Sequence, residues 1–256
     1  MRSKAWAQTW SVMRLAMAAV LVAAILAQLL TSLSTAAELG RDVGTTFANF
    51  FSFFTILSNS LAAVVLLWAG LWFFARGRHA DAEPPALALS LACVTTYMII
   101  TGIVYNLLLR QIVLDQGSAP VPWSNEVLHL IGPLFLLADL FVGPLRRALP
   151  WRAVWAIVAL PILWVAYTML RGPLVTNPGT GTPYWYPYPF LDPNNAGGWA
   201  AVAFWVVVIA AAFLVFASLV VWWGRRVGRE RELDHITGDH VEDEWDDARQ
   251  AEVEER

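Results

Sequence analysis

Charge is what this sequence has least of. Only 14% of its 256 residues are Asp, Glu, Lys or Arg, against roughly a quarter in an ordinary soluble domain, which excludes a solvated surface over most of the chain. There is one cysteine, Cys93, so no internal disulfide can form, and a small apolar packing residue is the reading it supports. Three of the four histidines, His79, His235 and His240, lie in polar segments without metal-ligand spacing. No metal and no cofactor are therefore expected. Internal repeats are absent, which argues against an inverted-repeat transporter, and nothing points to nucleic acid.

What the chain has instead is apolar length, with 58% hydrophobic residues. Six runs reach or approach the roughly 20 residues that cross a bilayer as a helix, at about 13–33, 47–75, 86–112, 126–143, 151–171 and 199–223. The expected fold class is all-α: a polytopic membrane protein whose residues 1–228 form one six-transmembrane-helix bundle. The fourth run is the weakest, because it contains His129 and Asp139. The first could be taken for a signal peptide ending near Thr35-Ala36-Ala37, but its apolar part exceeds the usual roughly 7–15 residues and is expected to stay as a helix.

Basic residues orient the bundle. With the N-terminus inside, only Arg41, Arg110 and Arg171 fall outside, while Arg76, Arg78, Arg146, Arg147 and Arg152 all fall inside. The positive-inside rule then puts both termini in the cytoplasm of a cell-membrane protein. From Arg229 the chain turns strongly acidic (RERELDHITGDHVEDEWDDARQAEVEER) with few apolar residues. Such a tail, 229–256, is expected to be disordered or a frayed helix, solvated first and a site for a protein partner second.

Two outer connections are more than spacers. DQGSAPVPWSNE (115–126) leads into the fourth span, and residues 171–198 form a long loop rich in Pro, Tyr and Trp. A loop of that length is uncommon unless functional or flexible. Its YWYPYPFLDP segment either covers an opening between helices or anchors the loop among headgroups. Asp192 is expected to make an Asx turn.

The second run carries a polar stripe, FFSFFTILSNS (50–60). On one continuous helix Ser52, Thr55 and Asn59 share a face, with Ser58 beside them. That face belongs inside the bundle, where small polar residues ordinarily bond helices together. A second feature opens another reading: WSNEVLHLIGP places the ionisable His129 within the membrane region, and such residues default to a functional hypothesis. Glu126, three residues earlier, could orient the imidazole. Thr55 falls about 12 Å and His129 about 5–9 Å into spans that run the same way, so a hydroxyl and an imidazole can meet as nucleophile and base. Asp139 lies about 15 Å deeper than His129, which excludes a dyad between them and favours a protonated or paired structural role over a proton relay. Tyr97, Thr101 and Tyr105 repeat along the third span and either line the same cavity or pack a helix interface.

FFTILSN, a fourth-span LH…P and YPYPFLD before the last helix resemble the bacterial six-helix integral membrane proteins related to the androgen-induced membrane hydrolases. The resemblance spans most of residues 10–223. It implies a threonine-dependent hydrolase of fatty acid esters of hydroxy fatty acids, with Thr55 as nucleophile and His129 as base, and membrane lipids as its partners. The aromatic loop is typical of the bacterial proteins and not of the animal enzymes. Such chemistry needs an oxyanion donor, for which Asn59 and Asn106 are candidates, with Ser52, Tyr105 and Glu126 as further pocket residues. A non-enzymatic transporter or channel, and a scaffold with a partner-binding tail, remain as alternatives.

Overall fold

In the computed structural model the described residues are 4–112 and 118–254, with side chains described as far as 227. They form eight α-helices and no strand. Helix α1 is Lys4–Glu38, α2 Val43–Phe50, α3 Phe54–Ala75, α4 Pro85–Val104, α5 Pro122–Glu126, α6 Gly132–Val142, α7 Ala153–Arg171 and α8 Gly198–Glu254. Single π-helical turns, Tyr105–Leu109 and Val127–Ile131, extend α4 and join α5 to α6. Counting these extensions, six helices are long and apolar enough to cross a membrane. The molecule is a six-helix transmembrane bundle. Residues 113–117, in the connection ahead of α5, lie outside those described, as do the side chains on which the reading of the acidic tail depends.

Proline and an aspartate set several of the helix starts. Pro85 and Pro122 stand in the first turns of α4 and α5, where a missing N–H costs nothing and a fixed φ helps. Asp42 caps α2, its carboxylate accepting the Thr45 N–H at 2.5 Å, and that bond holds the carboxyl below its ordinary pKa. Within the apolar spans periodicity says little, because lipid and protein are equally apolar. Burial settles the arrangement instead: α4 is the central helix, 67% of its apolar window buried, whereas α8 is peripheral at 22%. Leu174, Leu170 and Val207 face outward at 82%, 73% and 66% exposure, as lipid-facing side chains do.

The second span differs from the expected one. Its first part is the separate helix α2, and the chain breaks at 51–53 before α3 starts at Phe54. Phe53 is extended (φ −70°, ψ 130°), and its ring packs edge-on against Trp185 and Tyr188. The Ser52 hydroxyl donates to the Ala48 carbonyl, and the Ser52 carbonyl accepts from the Trp164 indole at 2.9 Å. The aromatic loop and α7 thus satisfy the backbone released by the break. The stripe is therefore not on one helix, and Thr55 sits in the first turn of α3.

Both ends of the bundle can be recognised from side-chain bonds. Trp6 of α1 and Trp223 of α8 donate to the Val142 and Leu140 carbonyls at the end of α6. The start of α1 and the stretch of α8 around Trp223 therefore share one end. A buried ion network closes that end. Arg14 spans Asp139 (2.7 Å) and Glu83 (3.3 Å), Arg146 joins Asp139 at 2.6 Å, and Trp10 donates to the same carboxylate at 2.5 Å. This is the paired role expected for Asp139. An ion held so by three side chains is not free to line a transport path with His129.

Candidate active site

At the other end, Thr55 Oγ1 lies 3.3 Å from His129 Nε2. His129 occupies the Val127–Ile131 π turn, and Tyr105, which stacks on its ring with centroids 3.6 Å apart, begins the other one. Such turns add a residue to a helix and redirect its side chains, and they concentrate at functional sites. His129 Nδ1 lies 3.0 Å from the Asn125 carbonyl. A carbonyl only accepts, so Nδ1 carries the proton and Nε2 presents a lone pair to the threonine hydroxyl. The Asn125 amide in turn donates to the Tyr105 hydroxyl at 2.7 Å. Glu126 does not bond the imidazole: it pairs with Arg110 at 2.8 Å in a half-exposed bridge, and the Asn125 carbonyl takes the Nδ1 position instead.

Asn59 and Asn106 are not oxyanion donors. Asn59 Nδ2 donates to the Thr55 carbonyl (2.8 Å) and the Leu128 carbonyl (3.1 Å), while Asn106 Nδ2 donates to Gly102 (2.8 Å) and His129 (3.0 Å). Each bonds the carbonyl four residues back on its own helix and one carbonyl of the π turn. A widened turn leaves carbonyls out of the regular ladder, and two amides from neighbouring helices take them up. Both asparagines thus act as clamps. Gly102 permits the closeness, since a Cβ there would meet the Pro133 Cβ at 2.9 Å. Ser58 donates to the Thr55 carbonyl and bonds Thr101 at 3.0 Å, and Ser52 bonds Tyr167. Of the stripe, only the Thr55 hydroxyl faces an imidazole; the others bond helices together.

Thr55 also lines a cavity of about 220 Å³ between α3, α4, α7 and α8. Its walls are apolar, with Ile100, Val104, Pro161, Ile209 and Phe213 among them, and outward-facing Trp155 and Ile162 stand at its open side. His129 is not in the lining; it stands behind the threonine. Thr101 and Tyr105 do line it, whereas the Tyr97 hydroxyl is spent on the Ile157 carbonyl at 2.8 Å.

The aromatic loop between α7 and α8 closes the top of this cavity. Trp185, Tyr188 and Leu191 are buried at 3%, 5% and 1% exposure. The Trp185 N–H donates to the Gly172 carbonyl, and Arg171 joins the Asn49 side chain at 2.7 Å. Gly172 has no room for a side chain, because the Tyr186 ring lies against it. Prolines at 187 and 189 hold Tyr186 and Tyr188 extended (Tyr188 φ −135°, ψ 140°) and reduce what ordering the segment costs. Asp192 makes the expected Asx turn with the Asn194 N–H. The loop covers an opening between helices, one of the two readings its composition allowed.

Tyr188 is the residue that the sequence did not single out. Its hydroxyl lies 3.3 Å from the Thr55 N–H nitrogen and 3.4 Å from Thr55 Oγ1. Burial raises its pKa while the N–H of Thr55 works against that rise, and the phenol is neutral. A tyrosine between two prolines ahead of a Phe-Leu pair was the available signal. Among the described residues no His, Cys, Asp and Glu cluster could hold a metal ion. No family model, curated protein or solved structure matches the chain.

Proposed function

We propose that the protein is an intramembrane ester hydrolase acting on fatty acyl esters, with Thr55 as nucleophile and His129 as general base. One observation carries the reading: a threonine hydroxyl in hydrogen-bond reach of an imidazole whose other nitrogen is already fixed, with the hydroxyl at the head of an apolar groove. A buried hydroxyl whose only task is packing bonds a carbonyl of its own helix, as Thr96 does with Ala92. Thr55 instead faces a lone pair, the arrangement that activates a hydroxyl.

His129 Nε2 takes the Thr55 proton as Oγ1 attacks the ester carbonyl carbon. The tetrahedral intermediate collapses with cleavage of the ester C–O bond, and the departing alcohol receives that proton from the imidazolium. Water then attacks the acyl-threonine, giving its proton to the same nitrogen, and Thr55 leaves with it. The products are a carboxylic acid and an alcohol. An acyl chain suits the groove because it passes from lipid into an equally apolar wall, so the chain itself carries no desolvation penalty. Both termini lie in the cytoplasm in this reading, which puts the site in the outer leaflet of the cell membrane. The same residues carry the resemblance to the androgen-induced membrane hydrolases.

A fluorophosphonate probe tests this on protein purified in detergent. The wild type is expected to be labelled on Thr55, and Thr55→Ala to stay unlabelled with an unchanged melting temperature. Labelling of Thr55→Ala at the wild-type rate overturns the proposal.

A further inference from the structure

We propose that the Tyr188 hydroxyl is the oxyanion donor of this site, delivered from the outer loop to the reacting carbonyl. The inference rests on the hydrolase reading and adds a third residue to it. Acyl transfer needs a donor aimed at the oxygen that becomes negative, and the polar groups around Thr55 can be accounted for one at a time. Both amide hydrogens of Asn59 and of Asn106 are spent on carbonyls. Ser58 gives its proton to the Thr55 carbonyl, so Thr101 gives its own to Ser58. The Tyr105 hydroxyl accepts from Asn125, while the contacts of Thr55 Oγ1 are with His129 and Tyr188.

Tyr188 differs in two ways. Its oxygen stands 3.4 Å from the attacking atom, and an oxyanion two bonds from that atom comes within its reach. The phenol oxygen also accepts the Thr55 N–H at 3.3 Å, which turns its own hydrogen away from that amide and toward Oγ1. Accepting one hydrogen bond strengthens the phenol as a donor of the next. The amide belongs to the first turn of α3, where N–H groups lack carbonyl partners within the helix and Phe53 offers no side-chain cap. Tyr188 therefore supplies what that turn lacks, and in return is pointed.

During attack, the Oγ1–C bond forms as the Thr55 proton passes to His129 Nε2. The carbonyl π pair moves to oxygen, which accepts the Tyr188 hydrogen bond without taking the proton. Collapse returns that pair to the carbonyl and breaks the C–O bond to the alcohol. Tyr188 thus ends each half-reaction unchanged, as a hydrogen-bond donor must. Its position also couples catalysis to the loop, since Pro187 and Pro189 fix the backbone on both sides of it.

The test is Tyr188→Phe, which keeps the ring against Phe53, Trp164 and Phe190. Hydrolysis of a fatty acyl nitrophenyl ester and the rate of fluorophosphonate labelling are measured together, since the phosphoryl oxygen sits where the oxyanion would. The kcat is expected to fall about 10²- to 10³-fold, with KM near wild type, labelling slowed in parallel and the melting temperature lowered only by the loss of the Thr55 N–H acceptor. A kcat within threefold of wild type overturns the inference, as does loss of kcat in Tyr105→Phe but not in Tyr188→Phe. Thr55→Ala run alongside separates the two claims. If it is inert while Tyr188→Phe is fully active, only the oxyanion assignment fails; if Thr55→Ala is itself active, the hydrolase reading fails.

Discussion

Asn59 Nδ2 donates to the Leu128 carbonyl at 3.1 Å, joining the helix that carries the hydroxyl to the turn that carries the imidazole. The same amide holds the Thr55 carbonyl, so one side chain ties the first turn of α3 to the π turn that carries His129. Asn59→Leu removes both bonds at a fully buried position. Leaving a carbonyl there without a partner costs about 1–3 kcal/mol. The variant should melt earlier and also lose activity. An oxyanion donor would behave otherwise, losing kcat far out of proportion to any fall in melting temperature, so measuring both quantities distinguishes the clamp from the donor.

His129 should be separable from the fold. His129→Gln keeps a side chain of similar reach but offers no basic nitrogen. Hydrolysis should fall by about 10²- to 10⁴-fold, the usual contribution of a positioned base. Because Asn59 and Asn106 bond carbonyls of the π turn and not the imidazole, unfolding should shift little. A variant that keeps its rate would leave the imidazole with a structural task only.

The opposite end makes a prediction about stability alone. Asp139 is wholly buried between Arg14 and Arg146. Truncation to Ala leaves two guanidinium groups without their carboxylate, and removal of one partner of a buried pair costs about 3–5 kcal/mol. Asp139→Ala is expected to unfold early or to accumulate poorly, while any folded fraction labels at Thr55 normally. Rapid labelling loss per folded molecule would instead link this network to the site.

Glu83 lends the same network a pH dependence. Burial pushes its carboxyl above the ordinary carboxylate range, with the Arg14 guanidinium working in the opposite direction. The folded state therefore holds this proton more tightly than the unfolded chain does. The stability so contributed is complete below the unfolded value, about 4.3, and is lost as pH rises through the folded one. Glu83→Gln cannot titrate. Melting temperatures from pH 4 to pH 8 should show the wild type losing ground to Glu83→Gln as pH rises, and a constant difference would contradict the assignment.

How far the sequence reached depended on which solvent a residue met. The six spans were legible because apolar length and sparse charge are properties of the chain itself, and Lys4–Glu38 or Gly198–Val227 need no neighbour to be identified. Thr55 and His129 could be brought to similar depth by counting residues, since helical rise is fixed. What counting could not supply was azimuth. The break at 51–53 and the two π turns rotate side chains away from an ideal helix, so Ser52 left the presumed face and Glu126 turned toward Arg110. Arg14 looked like an end-of-span charge, and its partners Glu83 and Asp139 are 69 and 125 residues away. Tyr188 was missed for the same reason: its role comes from a loop folding back over the bundle.

The groove gives the last prediction, one about substrate length. It runs beside α7 from Val165 near the hydroxyl to Trp155, ten residues or about 15 Å along a helix. A fully extended chain advances about 1.2 Å per bond, so roughly a dozen carbons fit alongside. Ala210 is exposed and faces this groove from α8. Ala210→Trp adds bulk partway down, between the hydroxyl and the far end, without touching Thr55, His129 or Tyr188. Esters of short acids should then be cleaved at the wild-type rate, while esters of long acids lose kcat/KM by about tenfold or more for each 1.4 kcal/mol of burial denied. An equal loss for both lengths would mean that the chain does not lie in this groove.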